Sequence, residues 1–541
     1  MKKMYISDLI PIRDCEEWLD ERKILLVAPT GMGKTTFVLS RLVPYCAIRK
    51  KKIAILCNRR LLREQYLYDL AEQYQRFYVM EREVELFTYQ ALAEQMKQGV
   101  RIAEILREFD MLVCDEAHYF YADADFNGYG TFALLQALID CSMDKVVVFI
   151  TATAKEVTPL IENTLEYSAE RMGISNENVY KMKCYDYSHL ADFSRFHCCY
   201  VEDMETLCKI LGESPKKTII FIDDKAKAES MKKNFTDQGI VKAKDIFILN
   251  AEVLEKNIRD PIIQNLTICH RVLPKILITT SVLDNGVSIH DVEVGNVVIA
   301  TDSELSFIQM LGRVRSESDK DVNLYFYPRG EKYFERRLEQ TTEKMEQIVE
   351  IEEKVKSRKG NLAMQLWDDD AYWRNMVLLM EEDSFYYQEV ASPIRIISGG
   401  YVLAVNAFAK EKLGNYILAY RKLQKKALND EVEVVKEQLR WMKKDLEDLK
   451  IISSSYQEER RKKLRKELLD VKNFTNEELQ RKKEKIAQDF FELIGDIVAK
   501  RQSFSKEKLI EICERFELKL EEKTIDGRKC YSIHEQNKMK N

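Results

Sequence analysis

The sequence predicts an α/β protein with two successive parallel-sheet domains, followed by a mostly helical region and a small α+β module. Short apolar runs recur over the first 330 residues and are separated by segments of helical length. This pattern is typical of parallel strands that helices cover on both faces. After about residue 335 the pattern becomes helical almost throughout. The 541-residue chain has only 18 glycines and 9 prolines, which also favours long helices.

The two sheet domains are predicted at residues 1–190 and 191–335. A polar, aromatic stretch from about 155 to 215 has no strand-like run, so we expect the boundary within it. The predicted strands of the first domain are Ile24–Val27, Ile53–Leu56, Met111–Cys114 and Val146–Ile150. Those of the second domain are Thr218–Ile222, Ile246–Leu249, Ile276–Thr279, Val297–Ala300 and Leu324–Tyr327.

The helical region, residues 336–500, contains an apolar repeat with alternating spacings of four and three residues, which is typical of a coiled coil. The repeat consists of Leu428, Val432, Val435, Leu439, Met442, Leu446 and Leu449. Its partner is open: the next helix, from about residue 457, would give an intramolecular hairpin, and a second copy would give a dimer. Thr475 and Glu478 form the capping-box pattern that begins a further helix.

The last module, residues 501–541, combines a helix near 506–516 with two strand-like runs around the turn dipeptide Asp526-Gly527. Arg528 and Lys529 make this predicted hairpin basic. Two interpretations fit equally well. The module is either part of a winged-helix nucleic-acid domain or a small cap on the helical region.

Composition excludes several classes of protein. With 45% hydrophobic and 32% charged residues, the chain is globular rather than disordered. The longest apolar runs are far shorter than the roughly 18 residues of a membrane span, and the first residues lack the apolar core of a secretory signal. The 12 cysteines are dispersed without a CxxC pair, which indicates reduced thiols rather than zinc ligands. We therefore expect a cytoplasmic protein without membrane contact.

The charge of the chain is unevenly distributed. The formal net charge is −5, but residues 401–541 contain 33 basic and 26 acidic side chains, a net charge of +7. The first 400 residues therefore carry a net charge of −12. The total gives no sign of nucleic-acid binding, and the basic C-terminal quarter fits a solvated helical surface as well as a nucleic-acid contact.

A phosphate-binding loop is predicted in the segment APTGMGKT, between the first strand and a helix that begins near Lys34. Gly31 and Gly33 let backbone N–H groups turn toward phosphate oxygens at the positive end of that helix. Lys34 can reach the β- and γ-phosphates, and the Thr35 hydroxyl is a ligand for Mg²⁺. The expected nucleotide-binding residues are Ala28, Pro29, Thr30, Gly31, Met32, Gly33, Lys34, Thr35 and Thr36.

Two carboxylates follow the predicted strand Met111–Cys114, in the tetrapeptide Asp115-Glu116-Ala117-His118. The carboxyl end of a buried parallel strand, beside the phosphate loop, is where a nucleotide-bound Mg²⁺ is held. Asp115 suits the metal, and Glu116 suits orienting and deprotonating the attacking water. An acidic loop alone would be ordinary, but together with the phosphate loop it predicts a hydrolytic site.

Together, APTGMGKT and CDEAH resemble the superfamily 2 helicases of the DExH-box type, which have two RecA-like domains. The resemblance continues in order over roughly residues 20–330. The further matching segments are NRRLLREQ at 58–65, TYQ at 88–90, TAT at 151–153, IIFID at 219–223, TTSVLDNGVSI at 279–289 and QMLGRVR at 309–315. In the last of these, Arg315 comes one residue earlier than in most of the family. This short form is similar to phage, viral origin-binding and restriction-type members.

The resemblance implies ATP as the nucleotide and a role for each segment, with Gly286 adding to the nucleotide site. The implied catalytic residues are Lys34, Asp115, Glu116, Gln309, Arg313 and Arg315. The residues implied to couple hydrolysis to domain movement are His118, Thr151 and Thr153. The residues implied to contact nucleic acid are Arg59, Arg60, Thr88, Tyr89, Gln90, Thr279 and Thr280.

Two functions follow as hypotheses. The first is an ATP-dependent motor, a helicase or translocase that uses ATP and Mg²⁺ and acts on DNA rather than RNA. The second is an ATP-gated clamp or remodelling subunit that does not unwind nucleic acid and docks a protein partner through its helical C-terminal region. A purely structural protein has no need of a complete phosphate site.

Overall fold

The computed structural model describes most of the chain. The described residues are 4–58, 60–77, 84–171, 181–222, 224–257, 260–283, 288–315, 321–327, 329–356, 376–381, 394–397, 401–493, 506–525 and 528–535. None of the helices in these ranges has the apolar stretch that crossing a bilayer requires.

The first sheet has six parallel strands in the order β3-β2-β4-β5-β1-β6. They are β1 (Lys23–Val27), β2 (Ile53–Cys57), β3 (Val84–Thr88), β4 (Met111–Asp115), β5 (Val146–Thr151) and β6 (Lys183–Asp186). The helices around it are Ile6–Leu9, Asp14–Glu21, Lys34–Phe37, Val43–Ile48, Arg60–Phe77, Tyr89–Lys97, Ile102–Leu106, Tyr119–Ala122, Leu134–Cys141 and Val157–Arg171. Shorter helical turns lie at Val38–Leu42, Tyr129–Ala133 and Ser188–Leu190.

The second sheet has seven parallel strands, of which six come from one continuous stretch of chain. These six are β7 (Phe196–Val201), β8 (Lys217–Ile222), β9 (Ile246–Leu249), β10 (Ile276–Thr279), β11 (Val294–Ala300) and β12 (Val322–Phe326). The seventh strand, Leu449–Ile452, pairs with β7 at the edge. The helices are Met204–Glu213, Lys225–Asp237, Ala251–Lys256, Pro261–Thr267 and Glu304–Arg313, with short turns at Ala243–Asp245 and Ser281–Leu283.

Both sheets are buried on both faces, as the continuous apolar runs predicted. In β1, Leu25 and Val27 belong to one hydrophobic cluster, and Ile24 and Leu26 belong to another on the opposite face. Alternate residues of a strand point to opposite faces, so a strand between two helical layers must be apolar at every position. The predicted pair of parallel-sheet domains is confirmed.

The stretch from 155 to 215, predicted to lack strands, contains β6 and β7. The strands β3 and β6 were missed because they lie at the edges of the first sheet, where every residue except Thr88 is at least partly exposed. An edge strand therefore needs no continuous apolar run. In β7 the polar His197 and two cysteines interrupt the aliphatic pattern, although five of the six residues are buried.

The predicted coiled coil is wrong. The helix Ala407–Asn429 ends before Asp430, whose side chain caps the next helix, Glu431–Trp441. Leu446 and Leu449 lie beyond both helices, in a short turn at Leu446–Asp448 and in the edge strand. Val435, Leu439 and Met442 pack into the core of the second domain. The apolar spacing is therefore that of a helix docked on a sheet domain, which needs the same face-to-core periodicity.

The region after 335 is also less helical than predicted. It contains an antiparallel sheet of three strands, Val377–Glu381, Ile394–Ile397 and Tyr401–Val405. Leu378 and Ala404 of this sheet are buried with Ala93, Tyr129 and Ala133 of the first domain. The small sheet thus buries its apolar face against the first domain.

Two long helices, Glu331–Lys356 and Ala407–Asn429, pack along each other and connect the two sheet domains; we call them the bridging helices. At one end, Lys412 forms an ion pair with Asp125 (2.5 Å), and Phe408 packs edge-on against Phe132 of the first domain. At the other end, the buried carboxylate of Asp302 in the second domain contacts Arg337 (3.4 Å).

The C-terminal module is one compact unit of three helices and three short antiparallel strands. The helices are Ser454–Leu469, Asn476–Leu493 and Lys506–Arg515, and the strands, in sheet order, are Phe474–Thr475, Arg528–Glu535 and Leu518–Ile525. One core, which includes Leu464, Phe490 and Ile533, spans the boundary expected at residue 501. Thr475 and Glu478 exchange the predicted capping-box hydrogen bonds. This element order supports the winged-helix interpretation; the Asp526-Gly527 turn lies outside the described residues.

The docked-helix packing predicts different costs for two leucines of the apolar repeat. Leu439 is 1% exposed and Leu428 is 64% exposed. We expect Leu439→Ala to destabilise the protein by about 2–5 kcal/mol, and Leu428→Ala to change stability by less than about 0.5 kcal/mol. Urea denaturation of the two variants checks this. Equal losses would indicate that both leucines lie in one coiled-coil seam.

Candidate functional site

The phosphate loop follows β1 and lies in the cleft between the two sheet domains. Gly31 (φ 85°) and Gly33 (φ 75°) adopt the left-handed backbone conformation that glycine accepts without strain. Lys34 begins the helix that follows, and its Nζ donates hydrogen bonds to the carbonyls of Ala28 (3.1 Å) and Pro29 (3.4 Å). Burial lowers the pKa of Lys34, although the charges of the nearby carboxylates oppose this. The Lys34 Nζ is thus held at the loop with backbone carbonyls as its neighbours.

Tyr5 is a residue of this site that the sequence did not reveal. A Cβ atom on Gly33 would lie 3.2 Å from Tyr5 Cδ1, so the ring lies directly against the loop. The backbone N–H of Ile6 donates to the carbonyl of Met32 (3.0 Å) and fixes the segment there. No sequence motif connects Tyr5 with the loop 28 residues later.

The two predicted carboxylates meet the loop from the end of β4. The sheet order places β5 between β4 and β1, so Asp115, Thr151 and Ala28 lie side by side at the carboxyl ends of three neighbouring strands. Glu116 has a φ of 54°, a backbone conformation that is uncommon outside glycine and is found at functional sites. Both carboxylates are buried, with 3% and 5% of their surfaces exposed.

The two carboxylates have opposite electrostatic environments. Burial and the adjacent Glu116 charge raise the pKa of Asp115 to about 6, even though Tyr66 donates a hydrogen bond to it. Burial alone would raise the pKa of Glu116, but a hydrogen bond with His118 and the charges of Arg313 and Lys34 hold it well below its usual value. Glu116 is therefore ionised. At Asp115 the nearby positive charge is too weak to offset burial, so the pKa of this carboxylate stays raised.

A divalent cation fits this donor set. Thr35 and Asp115 both line a cavity of about 160 Å³ that also contains Lys34. A hydroxyl and a carboxylate are hard oxygen ligands, and Mg²⁺ is commonly held by one or two carboxylates together with water and substrate phosphates. Within the described ranges, no cluster of three metal-ligating side chains exists, so a cation here would need the nucleotide to complete its coordination.

Three predicted residues reach the cleft from the second domain, at and just beyond the helix Glu304–Arg313. Arg313 Nη2 donates to Glu116 Oε1 at 2.9 Å, and this ion pair is buried on both sides. Gln309 Nε2 lies 3.4 Å from His118 Nδ1. Arg315 lines the same cavity, and no described residue accepts a hydrogen bond from its Nε. Burial and the Arg313 charge lower the pKa of Arg315 to about 10.

The predicted coupling residues lie next to this contact. His118 Nδ1 is 3.3 Å from Glu116 Oε2 and faces Gln309 across the cleft. Thr151 donates to the carbonyl of Thr153 (2.9 Å) and accepts from its N–H (3.1 Å), which fixes the turn after β5. The cleft contains these residues, but their role in movement stays a prediction.

The predicted nucleic-acid residues whose side chains the structure describes are either buried or half-buried. Gln90 Nε2 donates to Asn58 Oδ1 (3.0 Å), and Thr88 caps the helix Tyr89–Lys97. Tyr89 is a correction: its ring is fully buried and stacked 4.6 Å from Tyr119 (centroid to centroid), so its side chain supports the core instead of facing a nucleic acid.

In the second domain, Thr279 is buried inside β10, and Thr280 is half-buried at the end of that strand. Its N–H donates to the carbonyl of Leu249, at the end of the neighbouring β9. Arg59 and Gly286 lie outside the described residues, and of Arg60 only the backbone, at the start of a helix, is described.

Matches to family models cover the two sheet domains in turn. The model described as "Type III restriction enzyme, res subunit" matches residues 6–156, and the model described as "Helicase conserved C-terminal domain" matches residues 202–316. No curated protein matches the chain.

Two of the solved structures with similarity to the chain come from S. cerevisiae and Escherichia coli. S. cerevisiae Dbp5 bound to RNA and ADP BeF3 has 17% sequence identity and a TM-score of 0.39, and the match covers 57% of this chain and 79% of Dbp5. The Escherichia coli DEAH/RHA helicase HrpB has 14% identity and a TM-score of 0.39, and the match covers 60% of this chain and 42% of HrpB.

Gly312 allows the close approach of the two domains. A Cβ atom there would lie 2.6 Å from the Cβ of Thr30 in the phosphate loop, closer than such atoms can pack. We expect Gly312→Ala to lower ATP turnover about 100-fold, because a shift of roughly 1 Å at a reacting centre has an effect of this size. Steady-state turnover and thermal unfolding of the variant check this.

Gly414→Ala is the matched control, because Gly414 also lies in a helix and its nearest neighbour would be 3.7 Å away. Alanine is the better helix former by about 0.5–1 kcal/mol, so neither variant should unfold more easily. Normal turnover in Gly312→Ala would mean that the active state does not need this approach.

Proposed function

We propose that this chain, an ATP-hydrolysing enzyme whose two RecA-like domains match helicase-type family models, is a superfamily 2 motor that translocates along or unwinds nucleic acid. DNA is favoured over RNA as its track. The observation that carries the proposal is the buried contact of Arg313 with Glu116 across the domain cleft (2.9 Å). Hydrolysis chemistry that is completed by two domains links each turnover to their relative position.

The residues in the cleft suggest how ATP is hydrolysed. Lys34 binds the β- and γ-phosphates, and Thr35 and Asp115 would hold Mg²⁺, which would supply positive charge beside the phosphates. Glu116 orients a water and takes its proton as the oxygen attacks the γ-phosphorus and the bond to ADP breaks. Its low pKa keeps Glu116 ready to accept a hydrogen bond from that water.

Arg313 has two alternative partners in this scheme. Without nucleotide it neutralises Glu116. When ATP is bound, the γ-phosphate is a stronger anionic partner, and Arg313 with Arg315 stabilises the charge that develops there. The exchange releases Glu116 for the water. In this way the base becomes available only when the nucleotide is present.

The nucleic-acid contacts are proposed at the carboxyl ends of the strands. Thr88 ends β3 and Gln90 lies just beyond it, Asn58 follows β2, and Thr280 follows β10 in the second domain. Asn58 is fully buried and accepts a hydrogen bond from Gln90, so it supports this contact by holding the Gln90 side chain in place. Such contacts position a backbone without reading its sequence.

The preference for DNA rests on a resemblance. The short motif that ends at Arg315 is similar to restriction-type members, and the model matching residues 6–156 carries the description of a restriction-enzyme subunit. Restriction subunits act on DNA. The phosphate contacts themselves do not discriminate between the two polymers, so the track is decided by experiment.

The C-terminal module adds a second, basic contact. Lys462, Arg465, Lys466 and Lys472 line a groove of about 540 Å³ between the helix Ser454–Leu469 and the last strand. Arg465 is paired with Glu535 (2.8 Å), and Asp470 also lines the groove, so its four basic and two acidic side chains leave a net charge of +2. A row of lysines on a helix is complementary to a phosphate backbone.

The alternative is a clamp that hydrolyses ATP without unwinding and works with a protein partner. The apolar repeat that motivated it is packed inside the chain, at Val435 and Leu439. A docking surface for a partner must therefore use other residues of the helical region. A strand-displacement assay separates the two functions: binding and hydrolysis without displacement favour the clamp.

The motor proposal is tested by ATP hydrolysis without nucleic acid and with single-stranded DNA, duplex DNA or RNA. We expect DNA to stimulate turnover most. Glu116→Gln should lower the stimulated rate about 100-fold or more, the usual contribution of a general base, and Lys34→Ala should nearly abolish it. Glu104→Gln is the control, because Glu104 is exposed on the first domain. Hydrolysis indifferent to every polymer would contradict the motor proposal.

The basic groove is tested by the salt dependence of DNA binding. Lys462→Ala with Lys466→Ala removes two proposed phosphate contacts, and each is expected to lower the slope of log K against log[salt] by about 0.9 on duplex DNA. Lys242→Ala with Lys244→Ala is the charge-matched control, since both lysines are exposed beside the amino end of β9. An unchanged slope in the groove variant would make the module a structural cap.

A further inference from the structure

A buried tyrosine connects the two residues proposed to hold the metal. Tyr66 lies in the helix Arg60–Phe77, is fully buried, and donates a hydrogen bond from its hydroxyl to Asp115 Oδ2 at 2.7 Å. The Thr35 side chain is a hydrogen-bond partner of the same hydroxyl. One phenol thus contacts the phosphate-loop hydroxyl and the carboxylate at the end of β4.

The carboxylate of Asp115 is oriented from both sides. Its Oδ1 accepts the backbone N–H of Glu116 (2.9 Å), while Oδ2 accepts from Tyr66. Each oxygen keeps a further lone pair, and the cavity that Asp115 lines is where these can reach a cation. Partners that orient the ligands of a metal set both its affinity and its geometry.

The helix that carries Tyr66 connects the segment proposed to bind nucleic acid, at Asn58, with the nucleotide cavity. It begins two residues after Asn58, whose side chain bonds to Gln90. One face of the same helix presents Leu62, Tyr66 and Asp69, at helical spacings of four and three, and Leu62 and Asp69 line the nucleotide cavity. A shift of its first turn therefore moves the tyrosine hydroxyl relative to Asp115.

A second tyrosine connects the segment at 88–90 to the same aspartate. Tyr89 directly precedes Gln90, and its hydroxyl donates to the backbone carbonyl of Asp115 at 2.8 Å. Each segment proposed to grip nucleic acid thus has a phenol, directly after it (Tyr66) or within it (Tyr89), that contacts Asp115. Burial raises the pKa of both phenols well above the usual value, so they remain hydrogen-bond donors.

From these contacts we infer that Tyr66 is a positioning residue, which holds Thr35 and Asp115 in the geometry for Mg²⁺ and transmits nucleic-acid binding at the helix Arg60–Phe77 to them. The inference rests on the proposed function for its second half. Its first half concerns only the nucleotide and Mg²⁺. The hydroxyl does not touch the substrate; it acts through the two ligands.

The test compares Tyr66→Phe, which removes one oxygen atom, with the wild-type chain. We expect the Mg²⁺ concentration for half-maximal binding of a fluorescent ATP analogue to rise about tenfold, the lower end of the effect seen when such a partner is lost. Affinity for the analogue at saturating Mg²⁺ should be restored. The stimulation of ATP hydrolysis by DNA should fall, while DNA affinity without nucleotide stays unchanged.

Tyr45→Phe is the matched control. Tyr45 is 2% exposed in the same domain, and its hydroxyl has no partner in the part of the chain that the structure describes. Loss of that hydroxyl should leave the Mg²⁺ titration as in the wild type.

A wild-type Mg²⁺ titration in Tyr66→Phe overturns the positioning role. A raised Mg²⁺ requirement with full DNA stimulation overturns the transmission alone. If the wild-type chain ignores nucleic acid altogether, the proposed function fails, yet the Mg²⁺ titration still decides the positioning role.

Discussion

The buried ion pair of Glu116 with Arg313 is the interaction on which the arrangement of the two domains depends. Each partner is at most 7% exposed at its side chain and comes from a different sheet domain. Removing one partner of a buried pair leaves the other charge buried and uncompensated, which costs about 3–5 kcal/mol. The contact therefore penalises separation of the two domains.

Much of the remaining structure positions that pair. The parallel sheets bring the ends of β1, β4 and β5 to one edge, and Gly312 lets the helix that carries Arg313 approach the phosphate loop. The bridging helices then contact both domains, through Lys412 at one and Arg337 at the other. Since these helices contact both domains, any opening of the cleft must shift or bend them. The helical region is thus packed into the two-domain unit and is not a separate domain attached to it.

The phosphate loop and the carboxylates were predictable because their chemistry requires fixed residue types at short spacing. Gly31 and Gly33 need a positive φ, and Lys34 must follow at once to begin the helix. The errors share a cause as well. The heptad-like repeat around Leu439 has the spacing of a helix face, and that spacing is the same whether the face meets another helix or a sheet domain. Likewise, the segment TYQ at 88–90 does not reveal whether its tyrosine faces solvent or, as Tyr89 does, the core.

The amino-acid sequence was enough to predict the two parallel-sheet domains, the nucleotide loop and which side chains lie around that loop. Local constraints suffice for these: strand burial requires apolar runs, and phosphate binding requires glycine and lysine in order. Three features are visible only in the folded chain: Tyr5 lies against Gly33, Tyr66 contacts both Thr35 and Asp115, and the helical region contacts both domains. These contacts join residues far apart in the chain, and no local pattern encodes which buried faces will meet.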